Sequence, residues 1–249
     1  GDVGAMAKAA IGILGGGQLG RMTGFAARTL GYDVHILDPD PKAPGFAVAS
    51  LAITAPFDDE IAAARLAEHS KVVTLEIEQV STVTIEAAAR FAPTRPGATA
   101  VYTVQERGRQ KAFLAANGFP LGDFATVDNA DDCAAAVQRL GRSIVKATMG
   151  GYDGRGQVRV ASAEDGRRAF STIGAQRCVV EQFLDLEVEL SVLVARSATG
   201  EVKAYPPSRN HHEAGILVWA VTPTGLDPQL EQRARELERR LVSCCLEQP

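Results

Sequence analysis

At 249 residues, 46% of them hydrophobic and 22% charged, the chain is long enough for two modest domains and apolar enough to bury a real core. A net charge of −4 gives no electrostatic reason to expect nucleic acid or an anionic membrane as partner. No run reaches about 18 uninterrupted apolar residues, so nothing reads as a membrane span, and Gly1–Met6 lack the basic-then-apolar layout of a signal peptide.

Those first residues read as an appended tag before a native start near Met6. Cys133, Cys178, Cys244 and Cys245 are scattered, with no Cys-x-x-Cys pair and no histidine at ligand spacing. This predicts a reduced, cytoplasmic protein without structural zinc.

The first third alternates strand and helix. "AIGIL" (10–14) is a buried strand. Leu19, Met22, Ala26 and Leu30 then step by three or four along a helix that Gly31 can close. "DVHILD" (33–38) is a second strand. Asp58 can cap a helix through "EIAAARLAEHS", and "KVVTLE" (71–76) is a third strand. This is a βαβαβ unit with a parallel sheet, over residues 7–95. "FAPTRPGA" (91–98), with two prolines and a glycine, marks a boundary, and a second domain covers 96–249.

In that second domain, residues 104–120 read as one helix stopped by Asn117, Gly118 and Pro120, and residues 131–140 as another. "SIVKA" (143–147) is a strand, followed by a glycine-rich loop at 148–157. "VRVA", "CVVEQF", "VELSVLVA" and "EVKAYP" are strands, the last two a hairpin turning at Thr199-Gly200. A long amphipathic helix starts at Asp227.

Two glycine loops carry the chemistry. Gly15, Gly17 and Gly20 have the G-x-G-x-x-G spacing after a strand and at the start of a helix, and Asp38 ends the next strand 18 residues on. That matches a dinucleotide fingerprint. Its physical content is narrower: backbone N–H groups and a helix N-terminus that can approach an anion, which any phosphate ester satisfies. The turn alone leaves a nicotinamide-dependent oxidoreductase open, but the parallel pattern gives out near residue 92, before a second mononucleotide half.

The second loop, "TMGGYDGRGQ", lies between two strands, so it is no Walker A loop, which opens a helix. It reads as a flap over a sheet floor, with Lys146 aimed at phosphates and the loop N–H groups closing over them. The bland alternative is a surface hairpin with a surface lysine. Four glycines within 150–156, interleaved with Asp153 and Arg155, favour the flap. Downstream, "EQFL" (181–184) offers a strand-to-linker stretch for an adenine, and Glu189 a carboxylate for ribose hydroxyls. Each glutamate alone reads equally as a solvated strand residue.

The loop "GGYDGRGQ", the preceding Lys146, "VVEQF" and "VELSV" together resemble the ATP-grasp family. "IGILGGGQLGRM", "ILDPDP", "TLEIEQV" and the "YP…N.H..GI" segment resemble, within it, the N5-carboxyaminoimidazole ribonucleotide synthase family of purine biosynthesis. The resemblance covers about residues 10–222. It implies an α/β protein with an N-terminal parallel-sheet pre-ATP-grasp domain and an incomplete α+β ATP-grasp domain. The implied reaction joins ATP, bicarbonate and 5-aminoimidazole ribonucleotide through carboxyphosphate, releasing ADP and phosphate, in an enzyme that is often a homodimer.

The resemblance also implies roles. Arg109 and Lys146 contact ATP phosphates. Gly151, Tyr152, Asp153, Gly154, Arg155, Gly156 and Gln157 form the flap. Glu181, Gln182, Phe183 and Leu184 hold the adenine, and Glu189 the ribose. His212 stands beside the nucleotide. Lys146, Arg155 and His212 are the catalytic candidates. In the first domain, Gln18, Leu19 and Glu76 hold the ribonucleotide. The turn then serves a mononucleotide substrate and not NAD.

Two departures stand out. No metal ligand is assigned within the chain: the family's magnesium-binding segment lies beyond a helix like the one ending here. The sequence therefore reads as a fragment that binds nucleotide without turning over. In "YPPSRNHHEAGILVWAV", Arg209 and His211 occupy positions where the family is less basic.

Overall fold

The computed structural model describes residues 9–150, 156–174, 176–213 and 215–244. The chain divides between Gln105 and Glu106 into two units, each with its own core. The division lies one short helix beyond the proline-rich stretch, because residues 98–105 pack back onto the first unit.

In the first unit the elements are β1 (Ala10–Leu14), α1 (Gln18–Thr29), β2 (Asp33–Asp38), β3 (Leu51–Thr54), α2 (Glu60–Glu68), β4 (Val72–Leu75), α3 (Thr82–Ala89) and α4 (Ala98–Gln105). The sheet has the order β3-β2-β1-β4 and is parallel throughout. Alternation along the strands sends Leu14 and Leu37 to one face, with Leu66, Val73 and Ile85. Ile13 and Ile36 go to the other, with Ala27, Val34 and Val48. Burial on both faces is what a parallel sheet requires, and it explains the near-continuous apolar strands.

Two local readings change. The cap of α2 is Asp59, whose Oδ1 accepts the N–H of Ala62 at 2.9 Å, not Asp58. β3 was not expected: it follows a 3₁₀ turn at Pro44–Val48, and "LAIT" is too short to show a period.

The second unit runs through α5 (Arg107–Ala116), β5 (Phe124–Val127), α6 (Ala130–Leu140), β6 (Ser143–Ala147), β7 (Gln157–Val160), α7 (Ala163–Ile173) and β8 (Cys178–Gln182). Its main sheet is antiparallel, in the order β5-β8-β6-β7. α6 and α7 cover one face, burying Cys133, Val137, Val145, Ala169, Cys178 and Val180. The opposite face carries Lys146 and Glu181.

The single helix expected over 104–120 is broken at Glu106. There a carboxylate oxygen accepts the N–H of Arg109 at 2.6 Å and starts α5 afresh. "VELSVLVA" is not one strand either: it divides into β9 (Glu189–Ser191) and β10 (Val194–Arg196), which belong to different sheets. β10 pairs with β11 (Val202–Ala204) around the turn at Thr199-Gly200, as the sequence suggested. β12 (Ser208–Glu213) pairs with β9 on one side and β13 (Ile216–Val221) on the other. α8 (Pro228–Cys244) is tied to the end of α5 by Arg240: Nη2 donates to the Gly118 carbonyl at 2.8 Å, and the guanidinium lies 4.1 Å from the Phe119 ring centroid. No helix among the described residues is long and apolar enough to cross a membrane.

Cys133 of α6 and Cys178 of β8 are fully buried between the helices and the sheet. Burial, reinforced by Cys178, pushes the Cys133 thiol up to about 11, and burial raises Cys178 as well. Both are therefore protonated at pH 8, and the thiol is the unreactive form. Native protein treated with a thiol-specific disulfide reagent at pH 8 should leave both unmodified, and both should react in denaturant. Rapid native labelling of either, read by peptide mass, would contradict this packing.

Candidate functional site

The face of the second unit's sheet away from α6 and α7 forms the floor of a cavity of about 720 Å³. Register sets the floor. Phe124 of β5, Glu181 of β8, Ile144 of β6 and Arg159 of β7 stand in one row across the four strands, and Lys146 is two residues along from Ile144. Around the floor stand the linker after β8 (183–188), Glu189 of β9, and Arg209, Asn210, His211 and His212 of β12.

Glu181 is the electrostatic centre. Its Oε2 lies 3.0 Å from Lys146 Nζ and 3.5 Å from Lys111 Nζ, and all three side chains are about one-fifth exposed. At the far wall, Glu189 Oε2 lies 3.6 Å from His212 Nδ1, and Glu189 Oε1 accepts from Asn210 Nδ2 at 3.3 Å. A bulge between His211 and His212 breaks strict alternation on β12. His211 stacks on Trp219 across the hairpin, centroids 4.9 Å apart.

The linker is held at its start. The Phe183 ring has Arg142 at 4.6 Å and Arg159 at 5.2 Å from its centroid. The N–H of Gln182 goes to the Asp123 carbonyl and that of Phe183 to the Arg142 carbonyl, both at 2.8 Å. Leu184 is the first linker residue past these bonds, and it is half exposed.

Sequence-predicted residues are thus gathered from distant stretches: Lys146, Glu181, Gln182, Phe183, Leu184, Glu189 and His212 all line one cavity. Gln157 sits opposite Lys146 in the β6–β7 pair, and the Gly156 carbonyl accepts the Ala147 N–H at 2.9 Å, so both stand at the root of the glycine loop. The loop residues Gly151, Tyr152, Asp153, Gly154 and Arg155 lie outside the described residues. Arg109 is not among the described residues lining the cavity. On the same helix, Arg107 reaches the end of β6, with Nη1 donating to the Ala147 carbonyl at 3.0 Å. Arg107 and Lys111 do not line the cavity either, but Lys111 touches it through Glu181, and the four-residue spacing puts both on one side of α5.

The glycine turn of the first unit is built differently from an open anion cradle. Gly15 leaves β1 at φ +110°, a conformation glycine adopts without strain. Gly16 N–H donates to Asp38 Oδ2 at 2.7 Å, and Asp38 Oδ1 accepts the Asp40 N–H at 2.8 Å. Asp38 is buried, with both oxygens committed to the backbone; it is not presented to a ribose. Gly17 N–H donates to Glu76 Oε2 at 3.1 Å. A carboxylate of the protein itself therefore sits at the N-terminus of α1, where its charge is favoured. Gln18 and Leu19, the first two residues of α1, are exposed beside it.

Among the described residues no cluster of three or more His, Cys, Asp or Glu side chains is arranged to hold a metal ion.

Comparison with known proteins agrees with this division. The ATP-grasp domain family matches residues 112–245, and the ribonucleotide synthetase pre-ATP-grasp domain family matches residues 6–105. An N5-carboxyaminoimidazole ribonucleotide synthase from Brucella melitensis is 37% identical over 235 residues, which is 93% of this chain and 65% of that protein. The Bacillus subtilis synthase of the same name is 31% identical, over 94% of this chain and 62% of its own length. The crystal structure of an ADP complex of an N5-carboxyaminoimidazole ribonucleotide synthetase superposes with a TM-score of 0.89 at 35% identity, over 96% of this chain and 63% of that one. The Aspergillus clavatus synthase, solved with ADP and 5-aminoimidazole ribonucleotide, gives 0.85 at 29% identity, over 96% and 63%. The chain spans a little under two thirds of the length of the curated relatives it matches.

Proposed function

Because the chain belongs to the ATP-grasp family, we propose that it carries the ATP site and the ribonucleotide-binding domain of an N5-carboxyaminoimidazole ribonucleotide synthase. The observation that carries this reading is the single cavity that unites Lys146, the 181–184 linker, Glu189 and His212.

In this reading the adenine lies along the linker and the ribose hydroxyls reach Glu189. Lys146, with Arg109 and the glycine loop, meets the phosphates, and His212 stands beside the nucleotide. Gln18, Leu19 and Glu76 hold 5-aminoimidazole ribonucleotide on the first unit, the carboxylate as an acceptor for substrate hydroxyl or amine hydrogens.

Bicarbonate is a poor electrophile, and transfer of the γ-phosphoryl group makes it the reactive carboxyphosphate. Such a transfer is catalysed mostly by positioning and by fixed positive charge. Lys146 supplies that charge from a strand end, on a side chain aimed by its bond to Glu181. The flap excludes water, which would hydrolyse the intermediate. Arg155 belongs to it. Mg²⁺ accompanies ATP in this family's chemistry, but the described residues offer no cluster fit to hold it, and no step is assigned to it. Residence in the cytoplasm and pairing as a homodimer accompany the same reading.

Thermal unfolding tests it. ATP at about one hundred times its dissociation constant should stabilise the chain by about 2.7 kcal/mol, whereas NAD and NADP at the same concentration should do nothing. 5-Aminoimidazole ribonucleotide should stabilise the chain without ATP. Protection by NAD and none by ATP would return the glycine turn to a dinucleotide role and overturn the proposal.

A further inference from the structure

We infer that Lys111 is a positioning residue of this nucleotide site, acting through Glu181 to set the charge that Lys146 presents to phosphate. The inference rests on the ATP reading above.

Lys111 lies on α5, outside the glycine loop and the linker. Its ammonium stands 5.3 Å from the centroid of the Phe124 ring, and Phe124 is the residue directly opposite Glu181 in the β5–β8 pair. The ring thus parks a cation beside the carboxylate. From there Lys111 Nζ is 3.5 Å from Glu181 Oε2, the same oxygen that Lys146 Nζ contacts at 3.0 Å.

The sharing has an electrostatic consequence. With one carboxylate between two ammonium groups, the trio carries a net +1. Without Lys111, Glu181 spends its whole charge on Lys146, and the tighter neutral pair draws that ammonium toward the carboxylate and away from a nearby phosphate, a pull that vanishes when Glu181 is made neutral. These side chains are only about one-fifth exposed, so water screens the difference less than at an open surface. A carboxylate oxygen also has two acceptor positions, so Lys111 can take one without displacing Lys146. The plainer reading is that Lys111 merely fastens α5 to the sheet. That role would weaken every ligand of the site alike.

The two are separated by titrating ATP, ADP and adenosine calorimetrically into the unsubstituted chain and into K111M, K111R, E181Q and K111M/E181Q. K111M should weaken ATP about tenfold and ADP less, and leave adenosine within about twofold. K111R should restore ATP to within about threefold. In the E181Q background the K111M loss should shrink to less than half. Equal losses for all three ligands would show a fastening role, and an undiminished loss in E181Q would show Lys111 acting on phosphate directly. Either result overturns the inference while leaving the ATP site standing. Absence of ATP binding by the unsubstituted chain overturns both. If K111M does not fold, as judged by its melting curve, K111Q replaces it with the same expected ratios.

Discussion

Lys146→Ala should weaken ATP binding by roughly 1.5–3 kcal/mol, from about tenfold to more than a hundredfold, the scale of a hydrogen bond to a charged group. Lys146 is the penultimate residue of β6, two residues before the glycine loop, and its ammonium projects from the cavity floor. The substitution leaves a sound fold. The hydrophobic cluster of this unit lies on the other side of the sheet, and Glu181 keeps Lys111 as a partner, so no carboxylate is stranded. The melting temperature without ligand should therefore move little while the dissociation constant rises. Calorimetry with ATP and a parallel melt decide it. An unchanged dissociation constant would remove Lys146 from the phosphate site.

A second large effect is expected in the first unit, on stability. Gly20→Ala places a Cβ against the carbonyl oxygen of Gly15, well inside contact distance. The neighbour is backbone, fixed by the Gly15 N–H bond to the Leu37 carbonyl, so it cannot swing aside. The cost should be about 3 kcal/mol, at the upper end of overpacking, and the melting temperature should fall by roughly 6–12 °C for a chain of this size. Gly97→Ala is the control. That site is open, at a φ that any residue adopts, and the change should be neutral or stabilise by about 0.4–1 kcal/mol through the unfolded state. Equal melting temperatures for the two variants would show that α1 does not pack on the turn as described.

Much of the fold is legible because period and punctuation agree. Both faces of the parallel sheet are apolar, and "AIGIL", "DVHILD" and "KVVTLE" show it directly. What escaped has physical causes. β3 is four residues long, too short for any period to register. α7 is strongly two-sided, but "AEDGRRAFSTI" opens on acids and a glycine that mimic a loop. Its cap, the Ser162 hydroxyl accepting the Asp165 N–H, is the signal that would have found it. β12 and β13 hide behind histidines and a bulge.

The site divides the same way. Lys146, Glu181 and Glu189 are readable because each is close to a marked loop or strand end. Lys111 depends on Phe124 and Glu181, one 13 and the other 70 positions away, which no local pattern reports. The detail of the glycine turn is hidden for a related reason. Its spacing alone matches a dinucleotide cradle, and Glu76, which takes the Gly17 N–H, enters from 59 residues away.

Among the described residues of the second unit, Arg240 makes the side-chain ties that span the most sequence, 123 positions to the Asn117 carbonyl and 122 to that of Gly118. During synthesis the order of events is therefore fixed. The first unit is contiguous and has all its strands by Leu75, so it can mature while later residues are still inside the ribosome. The second unit cannot fasten α8 to the end of α5 until residue 240 has emerged. At about 5–20 residues per second, that leaves α5 without this partner for roughly 6–24 s. For that interval Phe119 lacks its covering guanidinium, and a chaperone acting on this nascent chain would find its opportunity there.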